Sequence, residues 1–192
     1  MNVEKAEEYI IRQLGLRLSE TLYYHGLHHV EDVTHAVLNL AVQEGITDEQ
    51  SVKLLRIAAL YHDCGFMNTY QNHEEEGCRI AREILPDFGF SKVEIASVCG
   101  MIMATKIPQN PQNHLEEIIC DADLDYLGRD DFEPIAETLF QELKVRQIVA
   151  DRESWNQIQV KFLTAHHYWT QSATRQRAPK KAVHLENLIK LI

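Results

Sequence analysis

The sequence is poor in the features that mark secreted and membrane proteins. No apolar run approaches the roughly 20 residues that a membrane-spanning helix needs. The first residues, MNVEKAEEYI, lack the basic and then apolar order of a secretory leader. Cysteine is scarce, and neither a CxxC pair nor a close cysteine–histidine spacing occurs among Cys64, Cys78, Cys99 and Cys120. We therefore expect reduced thiols and a cytoplasmic location.

Positive charge is also in short supply. The 19 basic residues are outnumbered by 29 acidic ones, which gives the chain a net charge of −10 with neutral histidines. Such a surface repels phosphate on average, so we expect neither a nucleic-acid polymer nor a membrane among the partners. A small anionic substrate is still allowed, because it responds to local charge. The composition is compatible with a monomer or with a homodimer.

Alternating apolar–polar segments, which would predict β-strands, are rare in the sequence. Proline, which interrupts helices, is absent from its first 85 residues. Helical spacing and caps predict an all-α fold; Thr47 and Gln50, for example, form a capping-box pattern at the start of a strongly apolar third helix. No linker or repeat divides the chain. We expect one domain over 1–192, with the helices of 131–192 packed on a core at about 20–130.

What the sequence does have is an unusual arrangement of histidines and aspartates. Four of the ten histidines lie between His25 and His35, and His25 and His29 are one helical turn apart. The apolar third helix runs directly into His62 and Asp63, where a carboxylate is costly unless it is paired, capped or metal-bound. An acidic cluster at 121–125 follows another apolar stretch. Imidazoles and carboxylates in this combination suit a divalent metal.

Three segments resemble the H…HD…D signature of the HD-domain metal-dependent phosphohydrolases. YHGLHHVEDV is similar to the first motif, ALYHDCGF to the second and IICDADLDYLG to the acidic third. The resemblance covers about residues 20–130 and implies an HD-domain helical bundle with the metal site between its central helices. It further implies one divalent ion per chain (Mn, Fe, Mg or Zn) held by His29, His62, Asp63 and Asp123.

The sequence alone leaves two questions open: which aspartate of the acidic motif is the last ligand, and whether one or two metals bind. Either Asp121 or Asp123 can be the last ligand; we prefer Asp123, because related motifs place the ligand after a small residue, here Ala122. Asp121 would then orient an imidazole or a water. Members that hold two metals carry further histidines, and the helix at 95–105 has none, so we favour a single metal.

The resemblance also suggests roles beside the metal. His25 occupies the position that protonates the leaving oxygen, and Asp63 or Asp121 could accept the proton of a water. A plainer interpretation of His25 is a helix-start histidine without chemistry, and the basic run at 174–181 is commonly just a solvated face. Candidate contacts to the substrate phosphate are His73, Lys106 and Arg175.

The function implied is hydrolysis of a phosphoester or phosphoanhydride bond in a small phosphorylated substrate, with a nucleotide as the expected class. The main alternative is a non-catalytic module that binds metal or nucleotide as a sensor. A di-iron oxygenase is a third possibility, which the shortage of additional histidines disfavours.

Overall fold

The computed structural model describes residues 1–192 and is built from helices, with 72% of the chain helical and no strand. This confirms the all-α prediction. Short 3-10 turns lie at 64–67, 85–88 and 125–128. The nine α-helices are α1 (Val3–Arg17), α2 (Leu27–Gln43), α3 (Glu49–Tyr61), α4 (His73–Ile84), α5 (Lys92–Ala104), α6 (His114–Asp123), α7 (Phe132–Val145), α8 (Arg152–Ala165) and α9 (Gln171–Ile189). None of them is both long and apolar enough to cross a bilayer.

Helix α3 lies at the centre of the larger of two hydrophobic cores. It packs against α1, α2 and α5, so its second half has no face left for solvent. Burying each large aliphatic side chain there stabilises the fold by about 1.5–3 kcal/mol. The buried residues of α3 are Leu54, Leu55, Ile57, Ala58, Ala59, Leu60 and Tyr61. A rigid, fully packed helix therefore delivers the two residues that follow it, His62 and Asp63.

The start of α3 differs from the prediction by one residue. Asp48, not Thr47, is the N-cap, and its carboxylate accepts a hydrogen bond from the Ser51 amide at 2.8 Å. An aspartate in this position satisfies an amide of the first turn and also interacts favourably with the helix dipole. Gln50 instead donates to Glu94 at the start of α5.

A smaller core joins α7, α8 and α9 to the turn after α6. The close approach of α9 depends on Gly128, where a Cβ would lie 2.3 Å from the carbonyl oxygen of Arg177. An ion pair between Arg177 Nε and Asp125 Oδ1 at 2.6 Å fixes the same contact. Because the C-terminal helices are attached to the acidic motif in this way, we propose that residues 1–192 fold as one domain.

Candidate metal centre

Three helices bring two imidazoles and two carboxylates together. Gly26 is the N-cap of α2, which places His29 in the first turn of that helix; His62 and Asp63 follow α3, and Asp123 is the last residue of α6. His29 Nε2 lies 3.1 Å from Asp123 Oδ1, and His62 Nε2 lies 3.2 Å from Asp63 Oδ2. Ligand atoms of His29, His62 and Asp123 all lie within 4.8 Å of one another.

The polar atoms of this cluster fit a divalent cation. The Nδ1 atom of His62 donates to the Ala59 carbonyl at 2.7 Å, so the unprotonated nitrogen of a neutral ring is Nε2. That Nε2 atom and Asp63 Oδ2 are buried without a hydrogen-bond partner. Buried polar atoms are rarely left unpaired, and a metal ion would satisfy both. The fixed Nδ1–H is the usual way in which proteins orient a ligating histidine.

The electrostatics of the cluster favour bound positive charge. Burial raises the pKa of Asp123, but the nearby imidazoles of His29 and His62 outweigh it and the pKa lies below its usual value. Burial lowers the pKa of His62, and the neighbouring Asp63 and Asp123 carboxylates reverse this to a pKa well above the usual value. The two carboxylates thus draw a proton onto the imidazole. A divalent cation would replace that proton and neutralise the same charges.

His73 and Glu74 extend the cluster on the side of α4. His73 Nε2 lies 3.3 Å from Asp63 Oδ1, and its ring stacks on Phe66 with a centroid separation of 3.9 Å. Glu74 is buried beside it, with Oε1 at 3.6 Å from His73 Nε2. The substrate role of His73 stays a prediction, for which its place on the cavity wall is suitable. Glu74 is not among the residues predicted for the site, because three consecutive glutamates in a first turn are typical of an exposed helix start.

His25 is held by a glutamate that sequence reasoning missed. Its Nδ1 atom lies 2.5 Å from Glu142 Oε1, and Glu142 Oε2 accepts the backbone amides of Tyr24 and His25 at 2.9 and 3.1 Å. The Tyr70 hydroxyl donates to Glu142 Oε1 at 2.9 Å. Glu142 is completely buried. With Nδ1 bound in this way, Nε2 is the ring nitrogen of His25 available for chemistry, and the His25 ring centroid is 6.0 Å from that of His29.

Asp121 lies beside the cluster in sequence but has different partners. It is completely buried, and its oxygens accept hydrogen bonds at 2.8 Å from the Trp169 amide, the Thr170 amide and the Thr170 hydroxyl. It does not line the cavity that adjoins the cluster. Asp121 therefore anchors the start of α9. Asp123, whose Oδ1 atom lies 3.1 Å from His29 and 3.5 Å from His62, stays the preferred candidate for the last metal ligand.

Mutation should distinguish the structural role of Asp121 from metal binding by Asp123. Asp121→Ala should lower the free energy of unfolding by about 2–4 kcal/mol, because buried amides lose their acceptor, while metal content is unchanged. Asp123→Ala should remove the metal. Urea denaturation and elemental analysis of both variants measure the two effects. Loss of metal in Asp121→Ala with retention in Asp123→Ala would reverse the assignment.

The structure does not bring Lys106 or Arg175 to the cluster. The Lys106 ammonium is bound to Glu75 and lies 3.3 Å from Asn72 Oδ1, and Arg175 is exposed on α9. Neither residue lines the cavity. Their proposed contacts to substrate would therefore require a substrate that extends over the surface.

A cavity of about 290 Å³ adjoins the centre. His25, Asp63, His73, Glu74 and Asp123 form its polar end. The remaining wall comes mostly from apolar residues of α7, α8 and the turn after α6. The candidate metal ligands, the His25 ring held by Glu142 and the cavity thus meet at one place, which makes it the candidate functional site.

Comparisons with known proteins show the family and the fold of the chain. A model of the HD domain family matches residues 26–125, just over half of the chain. A solved structure from Lactobacillus plantarum has a TM-score of 0.69 at 19% identity, covering 100% of this chain and 97% of the other. One from an uncultured Thermotogales bacterium, described as a predicted HD superfamily hydrolase, has a TM-score of 0.64 at 20% identity, covering 96% and 90%. No curated protein sequence matches the chain.

Proposed function

The chain belongs to the HD domain family, and from this premise we propose that it is a metal-dependent phosphohydrolase acting on a phosphoester or phosphoanhydride bond of a small phosphorylated compound. The observation that carries the proposal is the pair of buried, unpartnered atoms, His62 Nε2 and Asp63 Oδ2, next to His29 and Asp123. Such atoms persist in a folded core when an ion completes them.

The four residues would hold one divalent ion, with Mn²⁺, Fe²⁺, Mg²⁺ and Zn²⁺ as the candidates. When bound, the ion would supply Lewis acidity, lowering the pKa of a water and polarising a phosphoryl oxygen. Asp63 would accept the proton of the attacking water through Oδ1, because Oδ2 faces the imidazole of His62 and would be used to hold the ion. Oδ1 lies 3.3 Å from His73 Nε2. The bound oxygens of Asp121 make it the weaker candidate for that role.

His25 is the residue that we propose as general acid. The Glu142 carboxylate accepts the Nδ1 hydrogen, which fixes the ring and leaves Nε2 as the nitrogen free to carry the transferred proton. The other ring nitrogen can then deliver a proton to the leaving oxygen of a substrate in the cavity, which His25 lines. Glu142 acts through His25 and is a positioning residue.

The charge on Glu142 should be visible as a pH dependence of stability. Burial raises its pKa, but the His25 ring and two backbone amides outweigh this and lower the pKa from 4.5 to about 2. A carboxyl whose pKa falls on folding stabilises the protein above its unfolded pKa, and that stability is lost as the pH falls towards 2. Between about pH 5 and pH 2, wild type should lose about 3 kcal/mol more than Glu142→Gln. Urea denaturation across this range measures the difference, and parallel losses in both proteins would show that Glu142 is not ionised in the fold.

The proposal is tested by loading the purified protein with each candidate metal and measuring phosphate or pyrophosphate release from a panel of phosphorylated compounds. The panel includes nucleotides, simple monoesters and cyclic diesters. Metal-dependent release from at least one compound is the expected result. Tight nucleotide binding without turnover for every metal would support the sensor alternative.

A further inference from the structure

The wall of the cavity opposite the candidate metal ligands is apolar and aromatic. Helix α7 contributes Leu139 and Leu143, and helix α8 contributes Trp155, Ile158 and Phe162. At about 290 Å³ the space is at the small end of the range for ligand sites. The cavity can hold one compact organic group. Burial of the apolar surface of that group against the wall would supply most of the binding free energy.

The basic side chains that line the cavity are the imidazoles of His25 and His73 alone. No lysine or arginine lines it, whereas three carboxylates, Asp63, Glu74 and Asp123, do. The lysines adjacent in sequence to cavity residues do not reach the cavity: Lys106 is bound to Glu75, Lys144 lies over the Phe140 ring at 5.6 Å, and Lys161 is exposed on α8. One divalent ion would offset charge within the cluster, but the additional phosphates of a polyphosphate would face carboxylates and apolar walls. Phosphate chains are ordinarily held by arginine, lysine or backbone amides.

One neutral polar side chain interrupts the apolar wall. Gln159 of α8 lines the cavity, is only 7% exposed, and its amide makes no hydrogen bond to another protein group. Thr105, which also lines the cavity, already donates its hydroxyl to the Ile102 carbonyl. The Gln159 amide is not among the fully buried atoms that lack a partner, so water or the polar edge of a ligand can still reach it. Gln159 is therefore available to an occupant with one uncharged polar edge.

We infer that the cavity receives an uncharged, largely apolar organic group, and that the substrate is a monophosphate ester of such a group, not a polyphosphate. The inference rests on the proposed function for its phosphate and on the cavity wall for its organic part. His25 lies at the boundary between the two regions, because it lines the cavity and lies beside His29. The ester oxygen would accordingly lie near His25, with the phosphoryl group towards the metal ligands.

Binding can be tested without turnover by using phosphonates, whose carbon–phosphorus bond is not hydrolysed. Benzylphosphonate and methylphosphonate carry the same head group and differ by the phenyl ring. In protein loaded with Mn²⁺, calorimetry should show benzylphosphonate binding at least about 10-fold more tightly. Equal affinities would overturn the inference, whatever the protein hydrolyses.

A matched pair of variants tests whether the phenyl ring binds in the cavity. Leu143→Trp puts a large side chain into the cavity, and Val145→Trp makes the same change at an exposed position on the same helix. Leu143→Trp should remove the preference for benzylphosphonate while leaving methylphosphonate binding and metal content unchanged. Val145→Trp should keep the preference. An undiminished preference in a folded Leu143→Trp protein would show that the ring binds elsewhere.

Turnover separates this inference from the proposed function. Benzyl phosphate and glycerol phosphate both release an alkyl alcohol, so a difference in kcat/KM reports recognition of the organic group. Benzyl phosphate should be favoured at least about 10-fold over glycerol phosphate and over a nucleoside triphosphate with Mn²⁺ in excess. If the triphosphate is the better substrate, the hydrolase proposal stands and the inference fails. If the phosphonates discriminate but no phosphate compound is hydrolysed, the cavity inference stands and the proposed function fails.

Discussion

His62→Ala should yield a protein that neither retains metal nor hydrolyses phosphate compounds. Wild type should contain about one Mn, Fe or Zn per chain, or take up Mg²⁺ reversibly, and the variant should contain almost none. The imidazole supplies a buried nitrogen whose position is fixed by the Ala59 carbonyl, so no solvent-exposed group can replace it. Since a catalytic metal accounts for several kcal/mol of transition-state stabilisation, kcat/KM should fall roughly 1,000-fold or more. Elemental analysis and phosphate release are the two measurements.

The control for this variant is His35→Ala, which removes an exposed imidazole from α2 without touching the cluster. It should keep both metal and activity. His62→Ala should also destabilise the metal-free protein by about 3–5 kcal/mol, because Asp63 and Asp123 lose the group between them. Full metal stoichiometry in a folded His62→Ala protein would show that the ligand assignment is wrong.

The parts of the fold that could be predicted from sequence are those governed by local pattern. The run of apolar residues in α3 predicts a buried helix because a helix that is apolar on every side has to be enclosed. An aspartate directly after such a run is anomalous, so Asp63 stands out from the sequence alone. Cap positions are less certain, since adjacent Thr47 and Asp48 are both good N-caps and only the packing of α3 decides between them.

The parts that could not be predicted depend on contacts between distant segments. Glu142 lies 117 residues after His25, and on its own helix it is one acidic residue among several. Its signal is weak: a carboxylate on the face of α7 that also carries Leu139 and Leu143. Asp121 shows the same limit: a residue two positions from a predicted ligand suggests a role in catalysis, and only the fold shows that its oxygens bind the main chain ahead of α9.

The basic segment shows the same limit. A run of arginine and lysine in an acidic chain suggests an anion site, but sequence gives no direction to the side chains. In the fold Arg177 pairs with Asp125, Lys180 pairs with Asp130, and Arg175 is exposed. Arg177 and Lys180 thus attach α9 to the acidic motif and the turn after it, and no arginine or lysine of the segment lines the cavity.

His25→Ala should keep the metal and lose turnover, which distinguishes a proton donor from a ligand. His25 lies one helical turn before His29, yet its ring is bound to Glu142 and its free nitrogen borders the cavity. Removing a general acid costs about 100- to 10,000-fold in rate. We expect kcat for an alkyl monoester such as benzyl phosphate to fall within that range while elemental analysis is unchanged.

Comparing substrates with different leaving groups distinguishes a proton donor from a residue that only supports the structure, because only loss of a donor changes the rate according to the leaving group. The 4-nitrophenolate ion departs without protonation, so 4-nitrophenyl phosphate should lose far less rate in His25→Ala than benzyl phosphate does. His28→Ala, three residues along and outside the cavity wall, is the matched control and should affect neither substrate. Glu142→Gln should give a weaker version of the same selective loss, because an amide in place of the carboxylate holds the Nδ1 hydrogen and the ring less strongly. Equal losses for both substrates would mean that His25 supports the site without donating a proton.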